Sequence, residues 1–184
     1  MSKFINKSEE TNYNAKKKYG QNFLEDNNLL LEIIESASLT DETEVIEIGP
    51  GLGFLTDILI KKSKKITAFE IDKGLIPILT KKFGDNDNFE LINEDFLAYD
   101  LNKIVEGKKN IKVVANIPYY ITSPIISRLL EFRSNISEIY LMVQKEVAER
   151  IASKPNSKNM SILTHSVQFF AEAEYLFTVK KEMF

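Results

Sequence analysis

The sequence predicts an α/β protein built on a mainly parallel sheet with helices on both faces. Strand-like and helix-like segments alternate along almost the whole chain, the order expected of a parallel sheet with crossover helices. The early strands are short, nearly continuous apolar runs, the pattern of strands buried on both faces. The first strand feeds a glycine-rich turn, Gly49-Pro50-Gly51-Leu52-Gly53, that opens a helix.

Each element has its own local reason. Residues 1–18 are polar, end in Lys16-Lys17-Lys18 and read as a flexible basic arm. Residues 19–184 read as one domain, with no internal repeat and no low-complexity linker. Asp26 caps a helix running to about Ala37, with Leu29, Leu30, Ile33, Ile34 and Ala37 on one face. Glu44–Ile48 is a strand and Leu52–Lys62 a helix. Lys65–Ile71 is the second strand. Lys73–Phe83 is a helix whose first turn must hold Pro77. Phe89–Asn93 and Ile111–Ala115 are the third and fourth strands. Ser123–Phe132 is a helix with Pro124 near its start. Glu138–Val143 is the fifth strand, followed by helices over Gln144–Ser153 and Lys158–Ala171. Tyr175–Val179 reads as a last strand.

Composition excludes several classes of function. The 184 residues carry 24 Lys+Arg against 27 Asp+Glu, a net charge of −3, which argues against a protein that merely coats nucleic acid. There is no cysteine, which removes disulfide scaffolds, zinc ribbons and thiol catalysis. The single histidine, His165, removes multi-histidine metal sites. No apolar run approaches the ~18 residues of a membrane span. The start, MSKFINKSEETNYN, has no apolar core, so a cytoplasmic compartment is expected.

The chemistry concentrates where strands end. Glycines after Glu44–Ile48 let backbone approach a ligand, but Phe54 stands where a dinucleotide fingerprint wants a third spaced glycine, so a ligand without pyrophosphate fits better. Glu70 ends the second strand about 20 residues later, where a carboxylate accepts ribose hydroxyls. Glu94-Asp95 follow the third strand on the same edge and can accept from an adenine amino group. Asn116-Ile117-Pro118-Tyr119 ends the fourth strand. Pro118 holds Ile117 extended, which aims the Asn116 side chain and the Ile117 carbonyl into one pocket. Two adjacent acceptors suit a planar amino group, and Tyr119 offers a face for stacking a base. His165 reads as a packed or half-exposed residue, Phe169 and Phe170 as core or edge filler, and Lys61–Lys65 and Lys108–Lys112 as solvated faces.

Gly20-Gln21-Asn22-Phe23-Leu24, EIGPGLG (47–53), FEID (69–72), NEDF (93–96), NIPYYITSPI (116–125) and MVQKEVAERI (142–151) resemble the ribosomal RNA adenine dimethyltransferases. The resemblance is to the KsgA-type branch that modifies small-subunit rRNA, and it runs from about Lys18 to Phe184. It implies a Rossmann-like S-adenosylmethionine-dependent methyltransferase fold and dimethylation of the exocyclic amine of adenine. Carried over residue by residue, it implies a cofactor site of Asn22, Leu24, Gly49, Gly51, Glu70, Ile71, Asp95, Phe96 and Asn116. It implies a catalytic loop of Asn116, Ile117, Pro118 and Tyr119, with Phe184 as a second aromatic for the target base. Lys180-Lys181-Glu182-Met183 lacks the prolines usual before that aromatic, and Asn159-Met160-Ser161 replaces the more usual Tyr-Gly. The partner implied is small-subunit rRNA, with Lys16–Lys18 beside the pocket mouth to meet phosphate. No metal and no membrane are expected.

With no cysteine and a misplaced histidine, catalysis rests on positioning rather than on a strong base. Three alternatives stay open: a large-subunit enzyme of the erythromycin-resistance type, a non-catalytic RNA-binding assembly factor, and a nucleotide-dependent oxidoreductase. The resemblance implies a helical C-terminal domain after this stretch, and the chain is expected to be truncated before it. The Tyr175–Val179 strand therefore lacks its antiparallel neighbour. A mobile 172–184 segment is expected, or self-association of an otherwise monomeric chain through that edge.

Overall fold

The structure is a computed structural model and describes residues 26–180. The five strands β1 (Glu44–Ile48), β2 (Lys65–Phe69), β3 (Phe89–Ile92), β4 (Ile111–Asn116) and β5 (Ile136–Met142) form one sheet in the order β3-β2-β1-β4-β5. Every pairing is parallel. The chain direction across the sheet reverses between β1 and β4, and such a switch point opens a crevice beyond the carboxyl ends of the strands.

Among the described residues, seven α-helices connect and cover the strands: α1 (Asn27–Ser36), α2 (Phe54–Lys62), α3 (Ile76–Phe83), α4 (Asn102–Val105), α5 (Thr122–Glu131), α6 (Lys145–Ile151) and α7 (Ile162–Phe170). Side-chain alternation splits the strands between two cores. Val45, Ile66, Ala68 and Val114 pack under Leu30 of α1 and Leu59 of α2. Ile46, Ile48, Val113 and Ala115 pack on the other face with Ile125 and Leu129 of α5. α7 joins that second layer through Val167, which packs on Ile126 and Leu130.

Capping explains the helix ends. The Asp26 carboxylate accepts from the Asn28 and Leu29 amides, as its position suggests. Leu52–Lys62 starts two residues late, at Phe54, because Gly53 stands outside the helix in the left-handed region. Lys73–Phe83 shortens to Ile76, which puts Pro77 in the first turn where its missing N–H is harmless. α7 begins at Ile162, set by a capping box between Ser161 and Thr164, and not at Lys158. Asn102–Val105, between the third and fourth strands, forms a short additional helix.

Two expectations are corrected. Phe169 and Phe170 do not fill the core: both are exposed, stacked edge to face, with the Arg133 guanidinium over Phe170. Tyr175–Val179 does not form a strand. Residues 173–179 alternate between half-buried and exposed, and Phe177 and Val179, like Tyr140 and Met142 of β5, pack against the core under α1 and α2. A strand needs a hydrogen-bonding neighbour at about 4.8 Å, and no described residue occupies the place beside this segment. β5 thereby keeps an open edge among the described residues.

Candidate functional site

The carboxyl ends of β1, β2, β3 and β4 line a concavity of about 1680 Å³ that continues along β5 to residues 171–179. Gly49, Glu70, Ile71, Asp95, Asn116 and Tyr119 all face it. The sequence-predicted residues from four separate strand ends are therefore brought to one wall.

The glycine turn is held by the sheet. The Gly49 amide donates to the Phe69 carbonyl at 2.9 Å, carrying the β1–β2 ladder one residue past β1. Gly49 has φ +72°, and a Cβ there would meet only the Asn116 carbonyl oxygen at 3.8 Å. Space is open above it, and the backbone conformation is what demands glycine. Gly53 differs. A Cβ there would lie 2.4 Å from Cε2 of Phe83, so this glycine serves the packing of α2 against α3 and not a ligand.

Glu70 is only 4% exposed, so it is a held group and not a solvated strand-end acid. Its Oε2 accepts from the Gly51 amide at 3.3 Å and its Oε1 from the Asp72 amide at 2.8 Å. The Asn93 side-chain amide donates to the Glu70 carbonyl at 2.7 Å, tying β2 to the loop after β3. Burial raises the Glu70 carboxyl above its usual range, while the amide hydrogen bonds pull it back. Asp95 is exposed and steadied by the Leu97 amide on Oδ1 at 2.9 Å. The Phe96 ring belongs to the core, packed edge to face on Phe69 at 5.3 Å.

The Asn116–Tyr119 loop is built to be stiff. Ile117 is buried to 1% exposure in the core beneath the site, which leaves its backbone as the part available for binding. Pro118 (φ −60°, ψ 137°) caps a 3₁₀ turn over Tyr119–Ile121, and the Thr122 hydroxyl donates to the Tyr119 carbonyl at 3.1 Å. Tyr119 is 44% exposed at the rim. Asn22, Leu24, Phe184 and Lys16–Lys18 lie outside the described residues.

Sequence reasoning gave Glu47 no role of its own. The residue is 1% exposed in the middle of β1, and its Oε2 accepts from the Thr56 hydroxyl at 2.8 Å. Its signal was an acid inside the apolar run Val45-Ile46-Glu47-Ile48. Burial pushes its carboxyl from 4.5 up to about 8; the Thr56 hydrogen bond opposes this and Glu70 adds to it. The folded protein keeps this proton over a range in which the unfolded chain has released it, so stability falls as pH rises from about 4.5 toward 8. The expected loss by pH 7 is roughly 3 kcal/mol from this group. Thermal midpoints measured from pH 5 to 8 should fall less steeply for Glu47→Gln than for the unaltered protein. Parallel curves would remove Glu47 from this account.

No group of three or more metal-ligating side chains occurs among the described residues, and none of their helices is long and apolar enough to cross a membrane.

A family model described as ribosomal RNA adenine dimethylase matches residues 12–184. The ribosomal RNA small subunit methyltransferase A of Fusobacterium nucleatum is 50% identical over 173 residues, covering 94% of this chain and 64% of its own length. Its counterpart in Lactococcus lactis is 48% identical over 176 residues, covering 94% and 60%. The chain thus spans less than two thirds of these relatives. A crystal structure of a dimethyladenosine transferase from Plasmodium falciparum superposes with a TM-score of 0.67 at 32% identity, over 80% of this chain and 51% of that one. A 23S rRNA methyltransferase, ErmE, gives a TM-score of 0.65 at 32% identity, over 78% and 55%.

Proposed function

The chain belongs to the ribosomal RNA adenine dimethylase family, on a Rossmann-like methyltransferase fold, and from that premise we propose that it carries the catalytic half of an enzyme that dimethylates adenines of small-subunit rRNA with S-adenosylmethionine. The observation that carries this reading is the convergence of Gly49, Glu70, Asp95 and Asn116 from four strand ends on one concavity.

The residues present fit the cofactor. Glu70 is pre-oriented by two backbone amides to accept ribose hydroxyls. The open space over Gly49 admits the amino-acid part, and Asp95 is exposed beside β3 to accept from the cofactor's adenine. Ile71, exposed after β2, gives that adenine an apolar face, and Phe96 contributes backbone from the loop after β3. Asn22 and Leu24 complete the proposed set from the N-terminal segment. When bound, S-adenosylmethionine supplies an electrophilic methyl group. The Asn116 side-chain oxygen and the Ile117 carbonyl then accept the two N–H bonds of the target amine. That geometry withdraws the nitrogen lone pair from the adenine ring and turns it toward the methyl donor. Tyr119, with Phe184, stacks the base once it has left the RNA helix. The amine sheds its proton after transfer, when it has become acidic, so no strong base is needed.

Small-subunit RNA is the proposed partner in a cytoplasmic setting, and the names of the curated relatives support that target over large-subunit rRNA. The open edge of β5 is the proposed site of any self-association. Labelled S-adenosylmethionine incubated with undermethylated small subunits, followed by mapping of the label, tests the function. Label on small-subunit adenine amines is expected; label confined to large-subunit RNA, or none, overturns it.

Glu70→Ala should weaken S-adenosylmethionine binding by about 1.5–3 kcal/mol, the scale for hydrogen bonds to a charged group. Calorimetry with unchanged affinity would take Glu70 out of the ribose role.

A further inference from the structure

Side-chain alternation along β1 places Val45 and Glu47 on the face covered by α1 and α2, while Ile46 and Ile48 enter the opposite core. Glu47 stands in register with Ala68 on β2 and Val114 on β4, both members of the apolar cluster that holds Leu30 and Leu55. Its carboxyl group is inserted into hydrocarbon at the back of the cofactor concavity, whose wall it shares with Glu70. An isolated carboxylate in such surroundings is strongly disfavoured.

Among the described residues, the acids Glu70 and Asp72 are the buried charges that share this end of the sheet with Glu47. Glu70 approaches from the end of β2, with Asp72 beside it, and both are buried acids. α2 contributes the Thr56 hydroxyl; the neighbouring Asp57 is half-exposed and paired with Lys61. β4 and α1 bring Val114 and Leu30 to this region, and the acids of α1, Glu32 and Glu35, are not buried. No lysine, arginine or histidine is buried among the described residues. The two site carboxyls are also unequally supported. Glu70 accepts two backbone amides, which sustain a negative charge, whereas the donor to Glu47 is a hydroxyl. Of the pair, Glu47 is the less well supported as a carboxylate.

We propose that Glu47 is a charge-compensating group of this site, neutral before the cofactor binds and ionised after it, so that binding of the cationic cofactor releases a proton to solvent. The inference rests on the S-adenosylmethionine reading. The sulfonium and ammonium charges of that ligand arrive in a pocket walled by acids, and an opposite charge in a water-poor site favours the carboxylate. Ionised Glu47 then stabilises the cofactor's charge electrostatically from behind the glycine turn, without having to touch it. Because the bound state prefers the deprotonated carboxyl, affinity rises with pH until the free protein has itself lost the proton, near pH 8.

Isothermal titration calorimetry of the chain with S-adenosylmethionine tests this at pH 6, 7 and 8, in buffers of low and high ionisation enthalpy. Release of up to about one proton per site is expected at pH 6 and 7, with affinity rising up to about tenfold per pH unit at the acid end. Glu47→Gln should abolish that release and flatten the affinity profile. The ligand's own amine titrates alike in both proteins, so their difference isolates the carboxyl. Thr56→Val, which removes the hydroxyl donor, should move the rise in affinity to higher pH, and it carries the test if Glu47→Gln does not fold. Cofactor binding that releases no proton and is independent of pH overturns the proposal. So does release that persists in Glu47→Gln, which would assign it to Glu70. Absence of S-adenosylmethionine binding at every pH overturns the cofactor reading itself.

Discussion

Asn116→Ala should lower methyl transfer about 10²–10³-fold, the scale for removing one positioned hydrogen-bond partner from a reacting centre. The fold should survive. Asn116 is the last residue of β4, in register with Met142 of β5, and it is only half-buried. Its loop is anchored by neighbours that the substitution leaves alone: Ile117 in the core, and Pro118 with Thr122 around the 3₁₀ turn. The effect should fall on turnover far more than on cofactor affinity, because the proposed Glu70 and Asp95 contacts come from the loops after β2 and β3. Single-turnover kinetics on small subunits, paired with calorimetric cofactor binding, separates the two. Turnover near that of the unaltered protein would sink the mechanism in which Asn116 orients the amine.

Gly53→Ala should destabilise the protein by about 2–5 kcal/mol. Two penalties combine. Gly53 has φ +84°, a left-handed conformation that costs an alanine roughly 1–2 kcal/mol. The new methyl would also sit 2.4 Å from Cε2 and 2.9 Å from Cζ of Phe83, and 3.2 Å from Cδ2 of Leu79. Overpacking of this kind costs about 1–3 kcal/mol. Phe83 cannot swing away easily, since it is buried and packed edge to face against Phe89 at 5.5 Å. Denaturant unfolding measures the loss, and shortening the obstacle in Gly53→Ala/Phe83→Leu should recover part of it. Gly49→Ala is the contrast: with only one neighbour, at 3.8 Å, it meets strain without collision. Unchanged stability for Gly53→Ala would show that α3 gives way where the packing says it cannot.

What the sequence determined by itself is local. β1 and β4 were legible because short, mostly apolar, β-branched runs bounded by turn residues suit strands buried on both faces. The end of α1 was legible because an aspartate before an apolar periodicity has one good use, as a cap. The candidate site was legible because its chemistry stands at strand ends, and parallel strands place all their carboxyl ends on one edge. Tertiary structure decided whatever depends on groups far apart in the chain. Glu70 reads in sequence as a carboxylate at a strand end, and only the fold shows it buried and clamped, because the Gly51 amide, 19 positions away, closes on it. Gly53 reads as part of a ligand turn, and becomes a packing requirement because Phe83 of α3 lies over it. Tyr175–Val179 carries the alternation of a strand and is none, since a strand is a relation between neighbours and the described residues supply none. Periodicity records which face a residue turns inward. Which group it meets there depends on contacts between distant parts of the chain, and those leave no mark in the pattern beside it.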